Sequence, residues 1–235
     1  DFNFAAKYEF KTRMRLKNQS ANSESAANLP ILNRYRDGQT VAEDSPALLT
    51  LGAQWSALPS LRISAGWHHF FDKDVNHYDG HQKNLGGDTN EYLGGVEYDI
   101  NRMFTVSAGA QVTDYNFTDK YMEDISYNVS STSVGVGFAV NVSKKVKLNF
   151  AYFKTFYKDY NRSTSDYNNL SAMAGKVVGG VVEKLQGPEA AQAAVNATTQ
   201  MLTTPNAQTG TSLLSGSDSF TRSNRVFGIG VDIKL

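Results

Sequence analysis

The sequence predicts an all-β protein, a transmembrane antiparallel β-barrel with eight strands in this chain, and three features carry that prediction. The first is alternation. In the last segment Phe227, Ile229, Val231, Ile233 and Leu235 point one way, and Val226, Gly228, Gly230, Asp232 and Lys234 point the other. A side-chain period of two sets bulky apolar groups on one face of a strand and small or polar groups on the opposite face. The second is recurrence, because similar stretches run along the whole chain and read as a greasy outside and a wet inside. The third is the parity of the connections. Ala57-Leu-Pro-Ser60, Asp99-Ile-Asn-Arg102 and Asn141-Val-Ser-Lys144 are tight turns, whereas 18–45, 73–88, 117–125 and 159–218 are long and polar. In an antiparallel meander all the short turns then fall at one end and all the long loops at the other, as outer-membrane barrels require. A soluble sandwich scatters its loop lengths.

The strands are predicted in order over about 2–17, 46–57, 61–72, 89–99, 103–116, 126–141, 145–158 and 219–235. The first carries Phe2, Phe4, Ala6, Tyr8, Phe10, Thr12, Met14 and Leu16 on one face. The second and third present Leu49, Leu51, Trp55, Ile63 and Trp67 outward, and the sixth Val134, Val136, Phe138 and Val140. Inward positions are small, among them Gly52, Ser64, Gly66, Gly95, Gly109, Gly135 and Gly137, which suits either a narrow barrel or a roomy channel. Trp55, Trp67, Tyr92, Tyr98, Tyr152 and Phe156 read as interfacial girdles, with core packing of a soluble sandwich as the alternative.

The connection 159–218 has a different period. Leu170, Met173, Val177, Val178, Val181, Val182 and Leu185 recur at helical spacing, and Gly187-Pro188 breaks the pattern. A second helix is predicted over 188–202, with Ala191, Ala194, Val195, Thr198, Met201 and Leu202 as its stripe. Together they predict a helical pair over the barrel mouth, in an extracellular loop inserted before the last strand of a single domain covering 1–235.

Composition sets limits. The chain has 235 residues, 23 basic and 23 acidic, and a formal net charge of zero. That balance gives no basic face for nucleic acid. No stretch approaches the run of about 20 apolar residues that a membrane-spanning helix needs. There are no cysteines, which decides little. The alternation begins at Phe2 with no basic stretch or apolar core of a signal peptide before it, so the chain is expected to be a piece of something longer. His68, His69, His77 and His81 lie among Asp72, Asp74 and Asp79, but His68 and His69 face opposite sides of a strand and the spacing fits no zinc or calcium pattern. A polar loop is the expectation there, with no metal and no cofactor. There is no Gly-x-Ser-x-Gly elbow and no cysteine nucleophile, so no catalytic residues are assigned and no enzyme is expected.

The stretch Glu43-Asp-Ser-Pro-Ala-Leu-Leu-Thr-Leu-Gly52 resembles the strand entry of the FadL-like family of outer-membrane transporters for long-chain fatty acids and other hydrophobic compounds. Gly94-Gly-Val-Glu-Tyr-Asp-Ile100 resembles a later strand and turn of that family, particularly of its Bacteroidetes-type members, and Val226-Phe-Gly-Ile-Gly-Val-Asp-Ile233 is similar to its closing strand. The resemblance implies a fourteen-stranded barrel, of which this chain matches the last eight strands. The family's N-terminal hatch, its Asn-Pro-Ala motif and its first six strands have no counterpart in 1–235. Leu235 departs from the aromatic residue that usually ends such barrels.

On that resemblance the expected function is passive uptake of long-chain fatty acids or comparable hydrophobic compounds across the bacterial outer membrane. The expected partners are such a ligand, outer-membrane lipid and lipopolysaccharide. Lys11, Arg13 and Arg15 lie on the polar side of the first strand, where cations attract a fatty carboxylate by charge-assisted hydrogen bonds; ion pairing within a wet lumen, or upper residues meeting lipopolysaccharide phosphates, is the alternative. Arg62 is expected to form a structural ion pair near the short-turn end. Leu170, Val177, Val181 and Leu185 form either an apolar capture groove for lipid tails or the packing face of the helix. The competing reading of the whole chain is a small eight-stranded structural or adhesive barrel that transports nothing.

Overall fold

A computed structural model describes residues 1–19, 35–122, 127–167 and 170–234. Its main body is one antiparallel sheet of eight strands: β1 (Phe2–Glu9), β4 (Leu48–Leu58), β5 (Leu61–Phe70), β6 (Thr89–Asp99), β7 (Phe104–Asp114), β8 (Ser131–Asn141), β9 (Val146–Tyr157) and β12 (Ser223–Ile233). They lie side by side in chain order, each bonded to the next, so the sheet is a pure meander. β1 and β12 are its two edges and do not pair with each other, so the sheet is open. The remaining strands extend its hairpins: β2 (Arg15–Lys17) pairs with β3 (Thr40–Ala42), and β10 (Tyr160–Thr164) with β11 (Gly216–Phe220). Two helices, α1 (Leu170–Gln186) and α2 (Pro188–Thr203), sit between β10 and β11.

Two differences from the sequence reading have local causes. The predicted strand 2–17 is interrupted at 10–14, yet its register never shifts: Glu9 faces Leu48, Thr12 faces Ser45 and Arg15 faces Ala42. That register sets Pro46 against Lys11, and a proline has no N–H to give the ladder. The connection 159–218, read as loop and helices only, also contains β10 and β11. Their register is slipped by one residue relative to β9 and β12, since Phe156 faces Ser223 but Tyr160 faces Phe220. The extra residue on the first strand makes a bulge-like offset, which a plain alternation count across 145–158 does not reveal. The last predicted strand correspondingly begins at Ser223 rather than 219, and the sixth at Ser131 rather than 126. Leu235 lies outside the described residues.

The register turns alternation into rows. Phe2, Trp55, Ile63, Val96, Ala108, Val136, Tyr152 and Phe227 face one another across all eight strands. Leu61, Tyr98, Val106, Phe138, Phe150 and Ile229 form a second apolar row beside it. No described layer of protein covers these rows. Val136 is 60% exposed and Phe227 81%, and among the described residues no large side chain is fully buried. The few buried apolar residues include Val41, Val75, Leu85 and Met122, which sit in the long connections or the strands flanking them. A sandwich core is therefore absent among the described residues, and the sandwich alternative is set aside: one sheet with one bare apolar face is not two stacked sheets.

The hairpins are staggered. Leu61, the first residue of β5, faces Tyr98, two residues before the turn at Ile100. Phe104, the first residue of β7, faces Val140, again two residues before the turn at Val142. The short turns therefore step two residues per hairpin along the sheet. They all lie at one end, and the long connections at the other.

Candidate functional site

The opposite face of the sheet is polar and shallow. At the short-turn end Arg62 donates to Glu97 at 2.8 Å and, through both terminal nitrogens, to Asp99 at 2.8 and 2.9 Å. Thr105 Oγ1 also donates to Asp99 at 2.7 Å. This is the structural ion pair expected of Arg62. At the long-connection end His68 Nδ1 lies 3.0 Å from Glu91, whose other oxygen accepts from Gln111 at 2.9 Å and Thr113 at 3.0 Å. Between the two clusters runs a row of small side chains, Ser64, Gly95, Gly109 and Gly135, facing one another on four strands. Two polar clusters separated by a row of small residues thus make up the polar face of the sheet.

The three predicted cations are dispersed by the structure. Lys11 Nζ donates to the Asp74 carbonyl at 2.7 Å. Arg15 donates to Asp44 at 2.7 Å and to the Met14 carbonyl at 2.8 Å. Arg13 is exposed, with no ion pair among the described residues. Asp44 was not legible as a site residue: its carboxylate is fully covered and also accepts from the Met14 N–H and from the backbone and side chain of Asn76. Hydrogen bonds from Asn76, then Arg15, hold its carboxyl well below the usual aspartate value, against the burial that opposes this. Asp44 thus ties β2, β3 and the connection after β5 together.

The helical pair is anchored from its base. Asp166 accepts from the Ser171 N–H at 2.9 Å at the start of α1. Arg162 forms a buried ion pair with Asp218 across β10 and β11, donates to the Met122 carbonyl at 2.9 Å, and Tyr167 donates to the same aspartate at 2.7 Å. Gly187, at φ +89°, turns the chain between α1 and α2 in a conformation that only glycine adopts readily. The helices pack through small residues. Gly175 and Gly179 on α1 meet Val195 on α2, and Ser171, Gly179 and Ala191 are buried.

Of the two alternatives for the α1 stripe, most of its bulky residues do not form the packing face between the helices. Val177, Val178, Val181 and Leu185 are exposed, Leu185 at 76%, while Leu170 is half-buried. Small residues won the interface because they let the two backbones approach, and the bulky stripe was turned away. An open hollow of about 800 Å³ lies elsewhere, between the end of α2 and the following loop, lined by Met201, Thr204, Asn206, Thr209, Ser212 and Leu213.

The histidines do not converge. His69 Nδ1 lies 2.9 Å from Asn90, His77 Nε2 3.3 Å from the Asp44 carbonyl, and His81 Nε2 2.9 Å from the Tyr121 carbonyl with the two rings stacked. Among the described residues no group of three metal-ligating side chains forms. No described helix is long and apolar enough to cross a membrane, which says nothing of strands. No protein-family model matches the chain, and no curated protein matches it.

Proposed function

We propose that this sheet is an arc of an outer-membrane β-barrel wall and that the protein passes long-chain fatty acids or similar hydrophobic compounds across that membrane. The observation that carries the reading is the pair of unbroken apolar rows, which leave large side chains bare on one face and hydrogen-bonded polar clusters on the other. In water such a face costs free energy at roughly 25 cal/mol per Å². In hydrocarbon that cost vanishes, and the backbone of every interior strand is already satisfied.

The stagger supports it quantitatively. One residue of offset per strand, with about 3.3 Å rise and about 4.8 Å between strands, tilts the strands by about 35°. Spanning barrels tilt by roughly 35–45°. The apolar positions end consistently: after Tyr92 comes Asn90, after Val112 Asp114, after Val134 Thr132, after Tyr152 Lys154 and after Phe227 Arg225. Five alternate positions cover about 22 Å of height at that tilt, near the barrel's apolar band of about 25 Å. A self-contained eight-stranded barrel needs β1 paired with β12, and these are the two unpaired edges. The arc therefore fits a larger wall, in keeping with the resemblance to FadL-like transporters.

For transport, the bare stripe of Val177, Val181 and Leu185 supplies an apolar surface for capturing a tail at the long-connection end. Arg15 is ion-paired to Asp44 and Lys11 donates to the Asp74 carbonyl, whereas Arg13 is exposed with no ion pair among the described residues, so the carboxylate role falls to Arg13. No covalent step is involved. The test is uptake of radiolabelled oleate by cells expressing the full-length protein. Val181→Asp with Leu185→Asp lowers uptake several-fold by removing capture, and Arg13→Glu raises the half-saturating oleate concentration. Wild-type uptake by both variants, at equal surface expression, sinks the transport reading.

A further inference from the structure

We propose that Lys154 and Arg225 form a site on the apolar face for the phosphate of an anionic lipid headgroup, an inference that rests on the barrel-wall reading above. The two residues face each other directly across β9 and β12, on the side that carries Tyr152 and Phe227 rather than the polar clusters. Like charges placed directly opposite in a ladder repel, and a counter-charge between them relieves that repulsion. Neither residue has a carboxylate within ion-pair distance among the described residues. The nearby acids are spoken for or point elsewhere, since Asp218 is bound to Arg162 and Tyr167, and Asp232 lies at the far end of β12 beside Asn149.

Height selects the occupant. Val146, Leu148, Phe150 and Tyr152 precede Lys154 on β9, and Ile233, Val231, Ile229 and Phe227 lie below Arg225 on β12. Both cations therefore cap the apolar band on the side of the long connections, where lipid headgroups meet acyl chains. Lys154 stands with its Nζ 4.4 Å from the centre of the Phe156 ring, directed toward the headgroup side of the band. A phosphate bridging a lysine point charge and an arginine fork gains two charge-assisted contacts. Its acyl chains would then lie along Tyr152 and Phe227. Free phosphate matches the charges but has no use for the apolar surface below them, so a lipid is the better fit.

Native mass spectrometry of the full-length protein, released from vesicles of dioleoylphosphatidylcholine with one-tenth dioleoylphosphatidic acid, tests this. The wild type should retain phosphatidic acid over phosphatidylcholine by about tenfold, and Lys154→Gln with Arg225→Gln should abolish the preference. Lys147→Gln, on the polar face, should keep it, and equimolar inorganic phosphate should not displace the lipid. A double variant that inserts normally and keeps the preference overturns the site, as does displacement by inorganic phosphate. A wild type that inserts but shows no preference removes this inference alone. A wild type that never enters the vesicles removes the barrel wall and this site with it.

Discussion

Asp44 organises the end of the sheet where the long connections gather. One covered carboxylate receives four donors from Met14, Arg15 and Asn76. Those hydrogen bonds keep it ionised at pH values where a free aspartate, near about 3.9, has taken a proton. Its contribution is therefore complete above the free value and is lost only as the pH falls through the lowered one. Exchange protection of the Met14 and Asn76 amides should persist at pH 4 and fail under stronger acid; loss of protection between pH 6 and 5 would show that Asp44 does not hold this junction. A sequence shows Arg15 and Asp44 as two charges 29 positions apart and cannot say that they meet, so ligand contact and ion pair both stay open for Arg15 until the fold brings the two together. Val136 makes the opposite case. Its outward direction was legible from alternation alone, and it lies in the most complete apolar row at 60% exposure. In the proposed wall, Val136→Arg should cost about 2–4 kcal/mol in equilibrium unfolding from lipid vesicles. A cost near zero would take Val136 out of the hydrocarbon.

Elements were legible where one period dominated and obscure where two features competed. The helices are read almost to the residue, because Gly187-Pro188 separates two runs of helical spacing. Their facing was not, because apolar spacing ranks side chains by size of hydrophobe, while the interface chose the smallest groups. At Gly179 an added Cβ would stand 2.5 Å from Val195, whereas at the neighbouring Gly180 it would meet nothing within 4 Å. Gly179→Leu should loosen the pair by about 1–3 kcal/mol, as overpacked contacts do. Amide exchange over Ala191–Thr199 should then accelerate, with Gly180→Leu unchanged. Equal effects from both substitutions would refute the packing. Among strands, Pro46 broke a ladder that the alternation of 2–17 had suggested was continuous. The one-residue slip beyond β9 hid β10 and β11 for the related reason that alternation carries no information about the partner.

At the scale of the whole molecule, the sheet, its strand order and the segregation of short and long connections follow from patterning, since an antiparallel meander is the simplest way to join neighbouring amphipathic strands. What the pattern could not supply was closure. Alternation specifies two faces and says nothing about whether the first and last strands meet, and here they are free edges. It also could not name what meets the polar face, because small residues there suit many neighbours. The solvent that the bare rows meet, hydrocarbon or water, decides whether this sheet is a barrel wall. The chain supplies its own reporters, for it has two tryptophans, Trp55 and Trp67, and both lie on that face. The most direct measurement is tryptophan fluorescence of the full-length protein in vesicles, quenched either by brominated acyl chains or by aqueous iodide. A barrel wall predicts strong quenching by the brominated lipid and little by iodide. Strong quenching by iodide with none from the brominated chains would contradict it.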